Sequence, residues 1–416
     1  MKSSIADRIS VKVSLIDGPL VKYAGQFISF LESQYYSQGR IYQYVLFIVA
    51  LDRFMGETGV DVKDLDENRA INFVAESNQS SAWKKQVYIL VRVFVKFLVD
   101  MGVTRPVSPP LLEDTAYTRL RRDYVDYLRH QRGLSERTIY HCWRFTVRFL
   151  KFRFPDGEWE YLQITPLDIV RFVQHLISRK KPLRDKTIPT HLRNFFLFLF
   201  KSGRTITNLA PGIPRVAQRS GVTLPRHITP EQVETLIAAV RTDTPIGRRN
   251  HAMMLLLARL GLRAPEVIAI QVEDIDWRAG EILVRGKGQR HDRMPLPRDV
   301  GEALADYIRR DRATTSRTLF VTNKAPHKPF HDSQVLNEIL LEAFTKTGLK
   351  PPTKYLGSHI LRHSLAMNLV RKGASLHEVS DMLRHRSRQS TMIYAKLDID
   401  GLRSIAQPWP VKGGTK

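Results

Sequence analysis

Six side chains stand out for what they could do together. Arg263 sits in "ARLGLRAPEV", just past a strongly apolar helical stretch, with Glu266 three residues on. Lys287 lies between two glycines at the tip of a predicted hairpin. His359 and Arg362, in "SHILRHSLA", have i,i+3 spacing and so share one face of a helix. His385 and Tyr394 stand nine residues apart in "MLRHRSRQSTMIYAK". Taken singly, each has an ordinary structural reading: a helix-end salt bridge, a solvated turn lysine, a polar helix face, a packed tyrosine. Taken together they hold what transfer of a phosphodiester requires. An activated tyrosine hydroxyl is a covalent nucleophile, and its phenol leaves more readily than a sugar alcohol, so the link it forms stays reversible. Two guanidiniums offer planar forks that match phosphate oxygens and cannot lose their charge. Lysine and histidine can move the protons.

These residues need elements to position them. Helix-spaced apolar residues dominate the first 200 positions, and an internal echo runs through them. "FLESQYYSQGRIYQYVLFIVALDRF" matches "YLRHQRGLSERTIYHCWRFTVRFLKF", with Ser37 against Ser135, Tyr42 against Tyr140 and Phe54 against Phe152. "DENRAINFV" matches "TPLDIVRFV", and "FVKFLVDMGVT" matches "FFLFLFKSGRT". Ser135 and Thr165 are predicted helix N-caps, and Gly102 and Gly203 predicted helix ends. Each copy reads as a bundle of about four helices, one over 1–110 and one over 111–205. Residues 206–228 are rich in Pro, Gly and Arg and read as a linker. A further domain over 229–416 opens with Thr229 as N-cap and Pro230 at the first helical position. It continues through the buried helix "NHAMMLLLARLGL" and the hairpin "GEILVRGKGQRHDRMPLP", then returns to helix from Val335 apart from the "KPPTKYLGSH" loop.

Charge says what this chain meets. Over 416 residues, 65 Lys and Arg face 41 Asp and Glu, a net charge of +24. Such a surface attracts polyanions, nucleic acid above all. The first 110 residues carry only +2, while 111–220 and 221–416 carry +11 each. The second bundle is therefore expected to grip phosphates, and the first to do something else, such as contact another subunit. The single cysteine, Cys142, excludes an internal disulfide framework and a Cys-rich zinc site. No segment reaches the length of a membrane span and the N-terminus has no signal-peptide pattern, which points to a cytoplasmic protein. His359 and His363 have the i,i+4 spacing of a zinc helix, but no carboxylate lies between them and arginines flank them, so no metal or other cofactor is expected.

The ordered set Arg263, Lys287, His359-x-x-Arg362, His385 and Tyr394 resembles the signature of the tyrosine recombinase (integrase) family. The likeness covers residues 229–407, and the bundle at 112–205 resembles the family's core-binding domain. One departure is visible: the glycine usual before the second histidine is Arg384 here. The resemblance implies a mainly α fold with a small β-sheet in the C-terminal domain, helical-bundle DNA-binding domains ahead of it, and strand exchange through a 3′-phosphotyrosyl intermediate. It implies that Arg263 and Arg362 hold the phosphate and Lys287 protonates the departing 5′ oxygen. In the same scheme His359 assists proton loss from Tyr394, His385 hydrogen-bonds the phosphate, and Glu266 orients a neighbour. It also implies double-stranded DNA as partner, a homo-tetramer acting on two sites, no small-molecule substrate, and a tail after Tyr394 that docks on a neighbouring subunit. The duplicated bundle fits a phage or mobile-element integrase better than a minimal chromosome-resolving recombinase. Two other readings stay open: an accessory DNA-binding protein with a vestigial site, and a type IB-like topoisomerase.

Overall fold

The computed structural model describes residues 4–76, 81–105, 114–178, 187–213, 226–286, 291–352, 357–385 and 387–395. Lys287, most of the expected linker and the tail from 396 onward lie outside them. The chain divides into two compact units, residues 108–220 on their own and residues 1–107 together with 221–416. No helix among the described residues is long and apolar enough to cross a membrane.

The first segment holds helices α1 (Ile5–Val13), α2 (Val21–Ser33), α3 (Gln38–Thr58), α4 (Glu67–Glu76) and α5 (Ser81–Asp100). Their apolar faces close around Phe27, Tyr44, Phe47 and Phe94, all essentially buried. A buried carboxylate there, Asp52, is satisfied by backbone N–H groups of Gly18 and Leu20, each donating at 2.8 Å, which ties the turn before α2 onto α3.

The unit 108–220 holds α6 (Ala116–Asp126), α7 (Glu136–Arg153), α8 (Pro166–Ser178) and α9 (Ile188–Lys201). Phe149 sits at its centre, edge-on to Phe172 at 5.4 Å and to Phe196 at 5.1 Å. Local signals behave as expected. Thr165 and Asp168 cap α8 reciprocally, the Asp168 carboxylate accepting the Thr165 N–H at 2.9 Å and the Thr165 hydroxyl accepting the Asp168 N–H at 3.4 Å. Ser37 and Ser135 occupy the N-cap positions of α3 and α7, and Gly102 and Gly203 take left-handed conformations after α5 and α9. The echo in the sequence is thus an echo of caps and helix order.

The C-terminal segment places the catalytic candidates. Thr229 and Gln232 form a capping box for α10 (Pro230–Ala238). Then follow α11 (Pro245–Arg259), α12 (Ala264–Ala269), a three-stranded antiparallel sheet, α13 (Arg298–Arg310), α14 (Gln334–Thr347), α15 (His359–Arg371), α16 (Leu376–Met382) and α17 (Arg388–Met392). The sheet has order β1 (Ile275–Asp276), β2 (Glu281–Arg285), β3 (His291–Pro295), with Ile282 opposite Met294. Ile282, Val284 and Met294 point one face of it into the core around α11, as period-2 alternation requires. The fold class is as the sequence led us to expect: mainly helical, with one small sheet.

Candidate active site

Helix α11 is apolar from Ala252 to Ala258, with Met253, Met254, Leu256 and Leu257 buried, and this stretch forms the core of the segment. The chain leaves it through Gly261, whose φ of +58° turns the backbone sharply. A Cβ there would lie 2.7 Å from Leu383 and 2.9 Å from Leu365, so the turn also depends on the missing side chain. The turn delivers Arg263 to the start of α12. The buried Glu266 carboxylate accepts the Arg263 backbone N–H at 2.8 Å and its Nη1–H at 2.7 Å, which fixes both ends of that residue.

Helix α15 enters the same place from its own N-terminus, carrying His359, Arg362 and His363 on its first turns. Arg362 is only 4% exposed. Its Nη1 donates to the Gly261 carbonyl and its Nη2 to the Leu383 carbonyl, so one guanidinium joins the α11 exit to the end of α16. Those bonds use two of the five N–H donors of the fork. Burial, with Arg263 beside it, pulls the Arg362 pKa down to about 10, still charged near neutrality.

The turn after α16 supplies His385. Its N–H donates to the Ser380 carbonyl at 2.9 Å, and its Nδ1 is hydrogen-bonded to the Thr391 hydroxyl at 2.8 Å. Tyr394 follows α17 and is 1% exposed. Its ring lies parallel to that of His385, 3° apart in plane with centroids 6.5 Å apart. Its hydroxyl is hydrogen-bonded to His363 Nδ1 at 2.6 Å. Burial pushes the phenol up to about 12, while the Arg362 charge pulls the other way. Burial and neighbouring positive charge hold His363 and His385 down to about 4, and lower His359 as well. All three imidazoles are therefore neutral at physiological pH in this state.

Five of the six expected residues thus converge: Arg263, His359, Arg362, His385 and Tyr394. Lys287 falls outside the described residues. The partner of the phenol is His363, not His359. The i,i+4 spacing of the two histidines is visible in the sequence as a shared helix face, and only the packing of α17 decides which of them meets Tyr394. Thr391 and Arg384 likewise give no sign in the sequence of what they touch.

A profile of the phage integrase family matches residues 226–400. A Sinorhizobium fredii protein provisionally named an integrase/recombinase, y4rA, is 37% identical over 396 residues, covering 95% of each chain. The chain belongs to the phage integrase family. It is a site-specific tyrosine recombinase. A tyrosine recombinase XerC, from Anoxybacillus flavithermus, is 28% identical over 68% of the recombinase and 94% of its own length. The fold is shared with the crystallised residues 75–356 of lambda integrase, solved as a dimer on a core site. That match has a TM-score of 0.51 and 18% identity, and covers 72% of the recombinase and 100% of the solved chain.

Proposed function

We propose that the recombinase cuts and rejoins duplex DNA with Tyr394 as nucleophile, in the service of a mobile element. Tyr394 Oη attacks the phosphorus, the bond from phosphorus to the 5′ oxygen breaks, and a 3′-phosphotyrosyl link forms. The phenolic proton passes to Nδ1 of His363, whose neutral ring is free to take it when protonated on Nε2. Arg263 and Arg362 hold the non-bridging oxygens, and each such preorganised donor is worth about 10²–10³ in rate. His359 and His385, which feel the charge of both guanidiniums, hydrogen-bond the phosphate, and Lys287 gives a proton to the departing 5′ oxygen. Attack by the 5′ hydroxyl of a second strand reverses these steps, so bond energy is conserved and no metal or nucleotide is consumed. The observation that carries this reading is the 2.6 Å contact between Tyr394 Oη and His363 Nδ1 beside the buried Arg362.

The +11 carried by residues 111–220 supports a phosphate-gripping role for the core-binding bundle. The near-neutral segment 1–110 then serves assembly, and four copies act together on two sites. Distinct apolar cores in the first segment, in the second bundle and in the C-terminal segment support this three-part organisation, with Leu209 and Ile213 packing into the second bundle's core beyond the expected limit at 205. The working compartment is the cytoplasm, on the nucleoid.

A pool of nicked duplexes with a randomised central segment tests this. Wild-type protein traps itself covalently on the nicked strand, and sequencing the trapped strands reads out its site. Tyr394→Phe binds the same duplexes and is not trapped. Trapping of Tyr394→Phe refutes the nucleophile. Absence of any wild-type adduct favours an accessory DNA-binding protein, and relaxation of supercoiled plasmid without exchange between sites favours a topoisomerase.

A further inference from the structure

Arg384 stands in a backbone position built for glycine. Its φ is +53°, a region that residues with a Cβ visit sparsely. It follows Leu383, the C-cap of α16, and here the Arg384 N–H donates to Asp381 O at 2.9 Å and the next N–H, that of His385, to Ser380 O. A non-glycine residue held in this conformation between buried elements points to a use for its side chain.

The side chain shows the use. It is only 9% exposed and folds inward rather than into solvent. Nη2 donates to Glu266 Oε2 at 2.7 Å, Nη1 meets the Met294 sulfur on β3, and Nε lies 3.8 Å from Asp292 Oδ2. Glu266 is the carboxylate that also accepts from the Nη1 and the backbone N–H of Arg263. One buried carboxylate is therefore shared by two guanidiniums, and its Oε2 is held from the far side by Arg384. With that hold gone, Glu266 keeps only its bonds to Arg263, so the pair is less firmly placed and the carboxylate neutralises Arg263 alone.

We infer that Arg384 is a positioning residue for Arg263, acting through Glu266 and anchored on β3. The inference rests on the proposed role of Arg263 at the phosphate, and the experiment keeps the two apart. Single-turnover trapping on a nicked duplex and DNA affinity are measured for Arg384→Gly, Arg384→Ala and Arg384→Lys, alone and in an Arg263→Lys background. Arg384→Gly relieves the backbone, which offsets part of the lost ion pair, and still folds cooperatively in a thermal melt, yet its trapping rate falls about 10–100-fold with DNA affinity unchanged. Arg384→Ala loses rate to the same extent and melts lower, and Arg384→Lys recovers part of the rate. In the Arg263→Lys background, Arg384→Gly costs little further, because both changes act on one group. Wild-type trapping by Arg384→Gly, or an undiminished loss in that background, overturns the inference. Wild-type trapping by Arg263→Lys overturns the assignment of Arg263 instead.

Discussion

His363 offers a sharp test, because its two possible contributions can be separated by one substitution. The phenol of Tyr394, pushed up to about 12, is almost wholly un-ionised at pH 7.5. Attack therefore needs a group that removes the proton as the bond forms, a contribution of about 10²–10⁴ in rate. His363→Asn keeps an acceptor near the position of Nδ1 but cannot take a proton, and His363→Phe removes both. Single-turnover trapping on a nicked duplex, followed against pH, reads the difference. Wild type is flat across neutral pH, since the ring is already neutral well above about 4. Both variants fall at least about 100-fold at pH 7.5 and gain roughly tenfold per pH unit as the ionised phenol takes over. His363→Asn melts closer to wild type than His363→Phe, which leaves the buried phenol unpartnered at a cost of about 1–3 kcal/mol. The reasoning fails if His363→Asn traps at the wild-type rate, or if His359→Asn acquires the pH slope instead.

Gly261→Ala forces a Cβ against Leu383 and Leu365 at positive φ, so it should lower stability by about 1–3 kcal/mol in chemical denaturation and also slow trapping, because the displaced Gly261 carbonyl is an Arg362 acceptor. The lowered pKa values of His363 and His385 mean that the unfolded chain binds protons below about pH 6.5 that the folded chain refuses until about pH 4. Stability should therefore fall with pH through that window, by about 1–2 kcal/mol per histidine after allowing for partial exposure, and replacing either ring by Gln should flatten the loss seen in urea titrations at pH 7 and 4.5. DNA affinity for a single site should weaken steeply with added salt, and neutralising Arg121 and Arg122 on α6 should reduce the slope of log affinity against log salt by about one for each phosphate that is no longer neutralised.

The sequence by itself determined the helices, their ends and the roster of reactive groups. Those properties are local. Thr229 with Pro230 and Gln232 caps the helix that follows, glycine stops α5 and α9, and the spacing from His359 to Arg362 puts both on one helix face without help from the rest of the chain. The family likeness legible in Arg263, the His359-x-x-Arg362 pair, His385 and Tyr394 drew on the same ordered spacing. Which atoms meet was decided by the tertiary structure, because the partners are distant in sequence. Arg362 spans from the Gly261 carbonyl to that of Leu383, more than a hundred residues along the chain. The choice of His363 over His359 as partner of the phenol follows from how α17 packs on α15, and a fixed one-turn offset along a helix cannot reveal it. Arg384 reads in the sequence as a flaw in a turn, and only the approach of α12 and β3 turns it into a second hold on Glu266. Spacing along a chain specifies faces and turns; meetings between turns depend on packing, which no single stretch of sequence contains.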